Sequence, residues 1–213
     1  MKVIAVASQK GGSGKTTISS HLSVVATQKH KGAVAVVDAD PQASLSKWWN
    51  RRDDDDFTPQ FVQTNVKALE SNLARLEEAG FRYVVIDTPG FQSSIIKSVV
   101  ALSDMVLIPT KPSPLDLNAI GDTIEMVEAL DKPMIFVVSI AKKNSRLTAD
   151  TAVNLSQYGT VAPTIIGDRI DFPTSMIDGR TVMEVFPESR SDKEIRELWA
   201  YVERQMKKQK GDK

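Results

Sequence analysis

The sequence predicts a single α/β domain over residues 1–213, with a mostly parallel, twisted sheet flanked by helices. Short apolar runs alternate with longer amphipathic segments along the whole chain, which is typical of repeated strand–helix units. Several runs are nearly continuous in Val, Ile and Ala, as in parallel strands that are buried on both faces. A length of 213 residues suffices for one large core, and the sequence shows no internal repeat and no linker.

Seven apolar runs predict the strands of this sheet. They are Lys2–Ala7, Ala33–Asp38, Gln60–Gln63, Tyr83–Asp87, Met105–Pro109, Met134–Ser139 and Val161–Ile166. Helical periodicity predicts helices between them, which are Thr16–His30, Ala43–Arg51, Val66–Ala79, Ser94–Leu102, Leu115–Leu130 and Ala149–Tyr158.

The last helix, 191–210, has the clearest predicted beginning, because Ser191 and Glu194 have the spacing of a capping box. Its apolar residues fall on one face, which we expect to cover the sheet: Ile195, Leu198, Trp199, Val202 and Met206. Basic residues fall on the opposite face, and a basic tail, 207–213, follows. These basic residues are Lys193, Arg196, Arg204, Lys207, Lys208 and Lys210.

Composition excludes several classes of protein. Lys plus Arg and Asp plus Glu number 27 each, so the net charge of zero argues against a generally basic nucleic-acid coat but leaves room for a local basic patch. The absence of cysteine excludes disulfides, thiolate zinc sites, iron–sulfur clusters and cysteine nucleophiles. There is no signal peptide and no apolar run near the ~18 residues of a membrane span, so we expect a cytoplasmic protein. Asp53–Asp56 is interpreted as a solvated loop, since four adjacent carboxylates cannot all face one ion.

The sharpest motif directly follows the first predicted strand and opens the first predicted helix: Lys10-Gly-Gly-Ser-Gly-Lys-Thr-Thr17. Glycines there let backbone N–H groups approach a phosphate closely, and the helix N-terminus adds the positive end of its dipole. Lys15 can reach the β- and γ-phosphates, and the Thr16 hydroxyl can bind magnesium. The candidate nucleotide-binding residues are therefore Lys10, Gly11, Gly12, Ser13, Gly14, Lys15, Thr16 and Thr17.

This loop departs from the general G-x-x-x-x-G-K-T pattern, because Gln9 stands at the first glycine position and Lys10 is an extra lysine. In both respects it resembles the deviant Walker A motif of the ParA/MinD group of ATPases. The resemblance runs from Lys2 to the last helix and is closest to the short ParA-like partition proteins, since no helix-turn-helix precedes the first strand. It implies that Lys10 crosses a nucleotide-sandwich dimer to the partner's ATP and acts in catalysis with Lys15.

Two carboxylate motifs agree with this resemblance. The segment Val36–Gln42, with its Asp-x-Asp-Pro-Gln pattern, looks like the matching segment of ParA-type proteins and implies that Asp40 orients the attacking water while Asp38 supports magnesium. Asp87 ends an apolar strand, as a Walker B carboxylate that holds the magnesium shell does, and the following Thr88–Gly90 would form a switch loop. Carboxylates at the carboxyl ends of strands lie where open α/β sheets bind ligands.

Two later segments also match positions of the family. Ile108–Asp116 resembles the loop after the next strand, in which prolines fix an extended path and Ser113–Asp116 is expected to cap a helix. Gly167–Arg169 follows the last predicted strand, where family members place contacts to adenine. Arg169 is therefore a candidate base contact, although an ordinary surface arginine explains it equally well.

The resemblance implies a slow, magnesium-dependent ATP hydrolase of the nucleoid that positions or partitions a cargo. ATP would build a homodimer, the dimer would hold nonspecific DNA, and a ParB-like or cargo-bound adaptor would stimulate hydrolysis. The basic residues of the last helix are the candidate DNA contacts, because phosphate neutralisation grows with the number of basic contacts. An ordinary solvated helix face explains them too, and the small cluster Lys142, Lys143 and Arg146 has the same ambiguity.

Two alternatives stay open. A MinD-like protein that cycles on membranes would use the last helix as an interfacial anchor, although the end of the chain offers no apolar residue to insert. A small-molecule ligase or kinase of the same nucleotide fold would need a metabolite for ATP turnover. Cysteine-dependent relatives, such as iron–sulfur carriers, are excluded by composition.

Overall fold

A computed structural model describes residues 1–31, 33–53, 58–142 and 145–211, with no side-chain description for 209–211. One sheet in these ranges contains seven strands: β1 Lys2–Val6, β2 Val34–Asp38, β3 Gln60–Gln63, β4 Tyr83–Asp87, β5 Met105–Thr110, β6 Met134–Val138 and β7 Thr160–Val161. The strand order is β3-β2-β4-β1-β5-β6-β7, and each neighbouring pair is parallel. The predicted parallel α/β fold is confirmed.

Helices cover both faces of the sheet. They are α1 Lys15–His30, α2 Ser44–Trp49, α3 Val66–Glu78, α4 Ser93–Ala101, α5 Pro114–Ala119, α6 Gly121–Ala129, α7 Arg146–Ser156, α8 Asp171–Ser175, α9 Val182–Val185 and α10 Arg190–Gly211. Successive strand residues alternate between two cores. Ile4 and Val6 join α1, α9 and α10 on one face, whereas Val3 and Ala5 join α3, α4, α6 and α7 on the other.

The strand order explains where a site forms. β1 pairs with β4 on one side and β5 on the other. The chain leaves β1 for β2, on the β4 side, whereas the chain that leaves β4 crosses to β5 on the other side. An open α/β sheet binds ligands at such a switch point. The glycine-rich loop follows β1, Asp38 ends β2 and Asp87 ends β4. The register places these three strand ends side by side, because Asp87 lies between Val6 of β1 and Asp38 of β2.

The last strand and one helix differ from the prediction. β7 contains only Thr160–Val161, and a single bridge between Ala141 and Gly167 follows further along, instead of a strand over Val161–Ile166. The Ala162 amide still donates to the Phe136 carbonyl, but the next amide that donates to β6 is that of Ile166, to the Val138 carbonyl, so the segment 163–165 leaves the ladder. The predicted helix Leu115–Leu130 is two helices, α5 and α6, which meet at Ile120.

The beginning of α10 also needs correction. The capping box predicted at Ser191 and Glu194 is wrong, because the helix begins at Arg190. The Ser189 hydroxyl accepts from the Asp192 amide at 3.1 Å, and the Asp192 carboxylate accepts from the Glu188 amide at 2.8 Å. Ser191 donates instead to Asp171. The predicted apolar face is confirmed, since all five of its residues are buried in the core.

His21 joins α1 to α9 inside the core. Its Nε2 accepts from the Val182 amide at 3.2 Å, so its Nδ1 carries the proton and donates to the Thr17 carbonyl at 2.7 Å. Burial lowers the pKa of His21 to about 4, and the hydrogen bond to Thr17 opposes that effect only in part. The folded protein therefore holds a neutral ring at a pH where the unfolded chain binds a proton.

This shift predicts a loss of stability in mild acid. Histidine in the unfolded chain has a pKa of about 6.5. The free energy of unfolding therefore falls as the pH drops from about 6.5 toward about 4. Between about pH 7.5 and about pH 5, His21 should contribute a loss of about 2 kcal/mol. Urea unfolding of wild type and His21→Gln at both pH values measures it. Wild type should exceed the variant in free energy of unfolding by less at about pH 5 than at about pH 7.5. An equal difference at both pH values would contradict the neutral, buried state of His21.

None of the helices in the described ranges has the length and apolar character that a membrane-spanning helix needs. The predicted acidic loop Asp53–Asp56 lies mostly outside the described residues, as do Lys143 and the last two residues of the basic tail.

Candidate nucleotide site

The glycine-rich loop connects β1 to α1 through two glycines in a left-handed conformation. Gly12 and Gly14 have φ angles of 72° and 92°, a left-handed region that residues with a Cβ rarely adopt. Within the described part of the chain, the amides of 14–17 have no acceptor, as is usual in the first turn of a helix. They lie at the positive end of α1, so the loop offers unpaired donors and a positive dipole to an anion.

Lys15 is buried beside this loop. Its ammonium donates to the Lys10 carbonyl at 2.9 Å. Burial lowers the pKa of Lys15, while the Asp87 and Asp40 carboxylates act in the opposite direction. A buried ammonium whose hydrogen-bond acceptor is a neutral carbonyl is poorly compensated, and a phosphate oxygen would be a stronger partner.

Asp87 lies at the end of β4 and is fully buried. The Thr16 hydroxyl donates to one carboxylate oxygen at 2.7 Å, and the Ser19 hydroxyl donates to the other at 3.0 Å. Burial raises the pKa of Asp87 to about 7, although the hydrogen bond from Thr16 opposes it. This carboxylate is therefore held in a place where a nearby cation would be strongly favoured.

The Thr16 hydroxyl and the Asp87 carboxylate suit Mg²⁺ better than a metal ion that needs many protein ligands. Across the described ranges, no group of three or more His, Asp or Glu side chains could hold a metal. Mg²⁺ is usually bound by one or two protein oxygens together with phosphates and water. Thr16 and Asp87 are in contact at the first turn of α1, an arrangement compatible with that pattern, and their binding of magnesium stays a prediction.

Asp38 and Asp40 shape the loop after β2. One Asp38 oxygen accepts from the Asp40 amide at 3.0 Å, and the other accepts from the Ser46 amide and hydroxyl at 2.8 and 2.6 Å. Asp38 thus fixes this loop, and its direct contact with magnesium stays a prediction. The Asp40 carboxylate accepts from the Gln42 amide at 2.9 Å and lines the same cavity as Lys15.

Two cavities form one cleft along the loop. The phosphate cavity, about 350 Å³, is lined by Gly11, Gly12, Lys15, Thr16, Asp40, Gly90 and Phe91, among others. A more apolar cavity of about 460 Å³ adjoins it, and both share Gly14, Thr17 and Ile140. A polar end and an apolar end in one cleft suit a nucleotide, whose phosphates and base have those opposite characters.

The apolar cavity contains residues that the sequence did not point to. Its walls include Ile18, Ile166, Phe172 and Pro173, from α1, the segment after β7 and α8. Arg169 lines it as well, and its guanidinium is bound to Glu194 of α10 at 2.8 Å. The structure thus places Arg169 at the wall of the apolar cavity, where Glu194 already occupies part of its hydrogen-bonding capacity. Its contact with a base stays a prediction.

The loop after β4 lies against the phosphate loop. The Thr88 hydroxyl donates to the Val6 carbonyl at 2.9 Å. A Cβ on Gly90 would lie 3.3 Å from the Gly11 Cα, and one on Gly11 would lie 3.2 Å from the Phe91 ring. A Cβ at either position would make an unusually tight contact, so the glycines at 11 and 90 let the two loops approach closely.

The predicted DNA-contact residues of α10 are exposed where they are described. Arg196 pairs with Asp192 at 2.5 Å, and Lys207 pairs with Glu203 at 3.1 Å, so part of this basic face is neutralised within the helix. Lys193 and Lys208 form no ion pair among the described residues, Arg204 lies over the Tyr201 ring, and the side chain of Lys210 is not described. In the second basic cluster, Lys142 is exposed and Arg146 pairs with Asp150 at 3.6 Å.

Comparisons with known proteins agree with this geometry. The family model described as VirC1 protein matches residues 1–147. The maintenance of carboxysome distribution protein A of Halothiobacillus neapolitanus is 32% identical over 197 residues, which cover 88% of this chain and 89% of that protein. Protein ParA of Rhizobium radiobacter is 29% identical over 147 residues, which cover 65% of this chain and 63% of that protein.

The fold has solved counterparts too. Apo McdA of Cyanothece superposes with a TM-score of 0.82 over 95% of this chain and 99% of that one, at 18% identity. At that identity the likeness concerns the fold alone. Together with the sequence matches and the phosphate loop, it shows that the chain belongs to the VirC1 family of ParA-like P-loop NTPases.

Proposed function

We propose that this protein is an ATPase that positions or partitions a cargo by cycling on nonspecific DNA. The observation that carries the proposal is the cleft itself, in which a phosphate loop with an extra lysine, Lys10, adjoins the Asp87 and Asp40 carboxylates. ATP is the substrate, and bound Mg²⁺, held by Thr16 and Asp87, would neutralise phosphate charge there. Its location would be the cytoplasm, on the nucleoid.

Hydrolysis needs positioning and charge neutralisation more than covalent chemistry. The amides of 14–17 and Lys15 would bind the phosphates, with the apolar cavity around Phe172 holding the base. Asp40 would orient the water that attacks the γ-phosphorus; the bond to the β-phosphate oxygen breaks, and ADP and phosphate leave. Turnover would stay slow until an adaptor bound to the cargo completes the site.

Two exposed apolar side chains near the loop support the proposal of an ATP-dependent homodimer. Phe91 and Leu115, two large apolar side chains, are 76% and 72% exposed. Phe91 lies on the phosphate loop, and Leu115 is in the first turn of α5, shortly after Lys111, whose ammonium reaches Gly12. We expect both to be covered when two copies join around two ATP molecules, each Lys10 reaching the other copy's nucleotide.

The DNA-binding surface would be the exposed side of α10, which is doubled in the dimer. Its apolar side is built into the core, with Trp199 and Val202 almost fully buried. The same helix could not insert into lipid without leaving the fold, which favours DNA over the membrane alternative.

Removing unpaired charges from this surface tests the assignment. Lys193→Gln with Lys208→Gln should weaken ATP-dependent binding to a nonspecific duplex. The slope of log affinity against log salt should also become shallower, by about 0.9 for each phosphate that the protein no longer neutralises. Fluorescence anisotropy across a salt series measures both quantities.

A matched control removes the same charge from the opposite face of the sheet. Lys67 on α3 and Lys97 on α4 are exposed there. The double variant Lys67→Gln, Lys97→Gln should bind DNA as wild type does. Equal losses of DNA affinity in the two double variants would show that only net charge matters. That result would contradict the assignment of α10 as the DNA-binding surface.

A further inference from the structure

One lysine beside the phosphate loop has no role in the family motif. Lys111 follows β5, and its ammonium lies 3.6 Å from the point where a Cβ of Gly12 would be. Its backbone is fixed on both sides, because Thr110 pairs with Val138 in the sheet and the Lys111 carbonyl accepts from the Ser113 amide at 2.8 Å. The side chain therefore reaches the loop from a firmly held position.

Lys111 differs from most other buried or half-buried lysines in lacking a hydrogen-bond acceptor. Five lysines are buried or half-buried within the described ranges: Lys2, Lys10, Lys15, Lys111 and Lys132. Three of them donate to an acceptor at 2.9 to 3.2 Å, namely Lys2 to Asp104, Lys15 to the Lys10 carbonyl and Lys132 to the Ser103 carbonyl. Lys10 and Lys111 have no such partner among the described residues, and both belong to the surroundings of the phosphate loop.

A partly buried ammonium that has no acceptor can form charge-assisted hydrogen bonds to an anion bound beside it. Gly11 and Gly12 line the phosphate cavity but not the apolar cavity, so they mark the end of the cleft that is farthest from the base. An anion near Gly12 would thus be the terminal part of a triphosphate. No carboxylate of the described chain pairs with Lys111 in its place.

We propose that Lys111 is a third triphosphate-binding lysine, delivered to the phosphate loop by the segment between β5 and α5. This inference rests on the proposed ATP binding. The phosphate oxygens that it binds belong either to the nucleotide of its own subunit or, in the dimer, to that of the second copy. The chemistry is the same in both cases.

Nucleotide affinity tests this role. Lys111→Ala should weaken binding of ATPγS about tenfold and of ADP by less than about threefold, while Lys111→Arg keeps most of the affinity. Calorimetry at protein concentrations below and above dimerisation separates the two sources. A loss at both concentrations assigns the subunit's own nucleotide, and a loss only in the dimer assigns the second copy's.

Lys97→Ala, which removes an exposed lysine of α4, is the control and should bind both nucleotides normally. ATPγS affinity of Lys111→Ala equal to wild type at both concentrations would overturn the inference, as would equal losses for ATPγS and ADP. If wild type itself fails to bind ATPγS, the proposed function fails instead, so the two failures are distinguishable.

Discussion

Lys15→Ala should abolish nucleotide binding, with a loss of ATP affinity of about 100-fold or more. The reason is that the Lys15 ammonium is buried in the phosphate cavity and bonded only to a carbonyl of its own loop, so a phosphate is the partner it lacks. Because burial already lowers the pKa of Lys15, its removal should leave the fold at least as stable. Calorimetry with ATPγS and thermal unfolding measure both effects.

The same variant should lose ATP-dependent dimerisation and DNA binding. Lys97→Ala serves as the control here too, since it removes one exposed lysine from α4 without touching the cleft. Retention of ATP affinity within about threefold of wild type would contradict the role of Lys15 and, with it, the assignment of the cleft.

Asp40→Ala should separate binding from hydrolysis. Asp40 lies in the phosphate cavity and contributes a negative charge near Lys15, so its removal should preserve or strengthen ATP affinity. If it orients the attacking water, turnover should fall by about 100-fold or more. The variant should therefore accumulate as an ATP-bound dimer that stays on DNA.

Asp40→Asn sharpens this test, because it keeps an oxygen that can accept from the Gln42 amide and so preserves the local turn. It should lose turnover as Asp40→Ala does. Asp122→Ala, an exposed carboxylate at the beginning of α6, should hydrolyse ATP at the wild-type rate. An Asp40 variant with normal turnover would refute the assigned role.

The sequence predicts the polar half of the site because its residues lie at the carboxyl ends of predicted parallel strands. In a parallel sheet the carboxyl ends of strands lie at one edge, so the glycine-rich loop, Asp38 and Asp87 are expected along the same edge. The strand order β2-β4-β1 then makes them neighbours. The register confirms that they are. What Asp38 does was less predictable, since its hydrogen bonds to Ser46 depend on the path of the loop between β2 and α2.

The apolar half of the site could not be predicted from the sequence. Ile166 and Phe172 look like any core residues in sequence, and α8, which supplies Phe172, is too short for a helical period to show. The approach of Lys111 to Gly12 was hidden for a related reason, because it joins two loops from different strands. The ion pairs of α10 were partly readable from i,i+4 spacing, but the burial of Glu203 beneath Lys29 and Tyr83 was not.

Binding of wild type to a nonspecific DNA duplex with ATP, with ADP and without nucleotide, across a salt series, tests the central claim most directly. The proposed cycle predicts binding that needs ATP, persists in Asp40→Ala and weakens steeply as salt rises. Binding that is equal in all three nucleotide states, or absent in all of them, would contradict a DNA-based positioning ATPase.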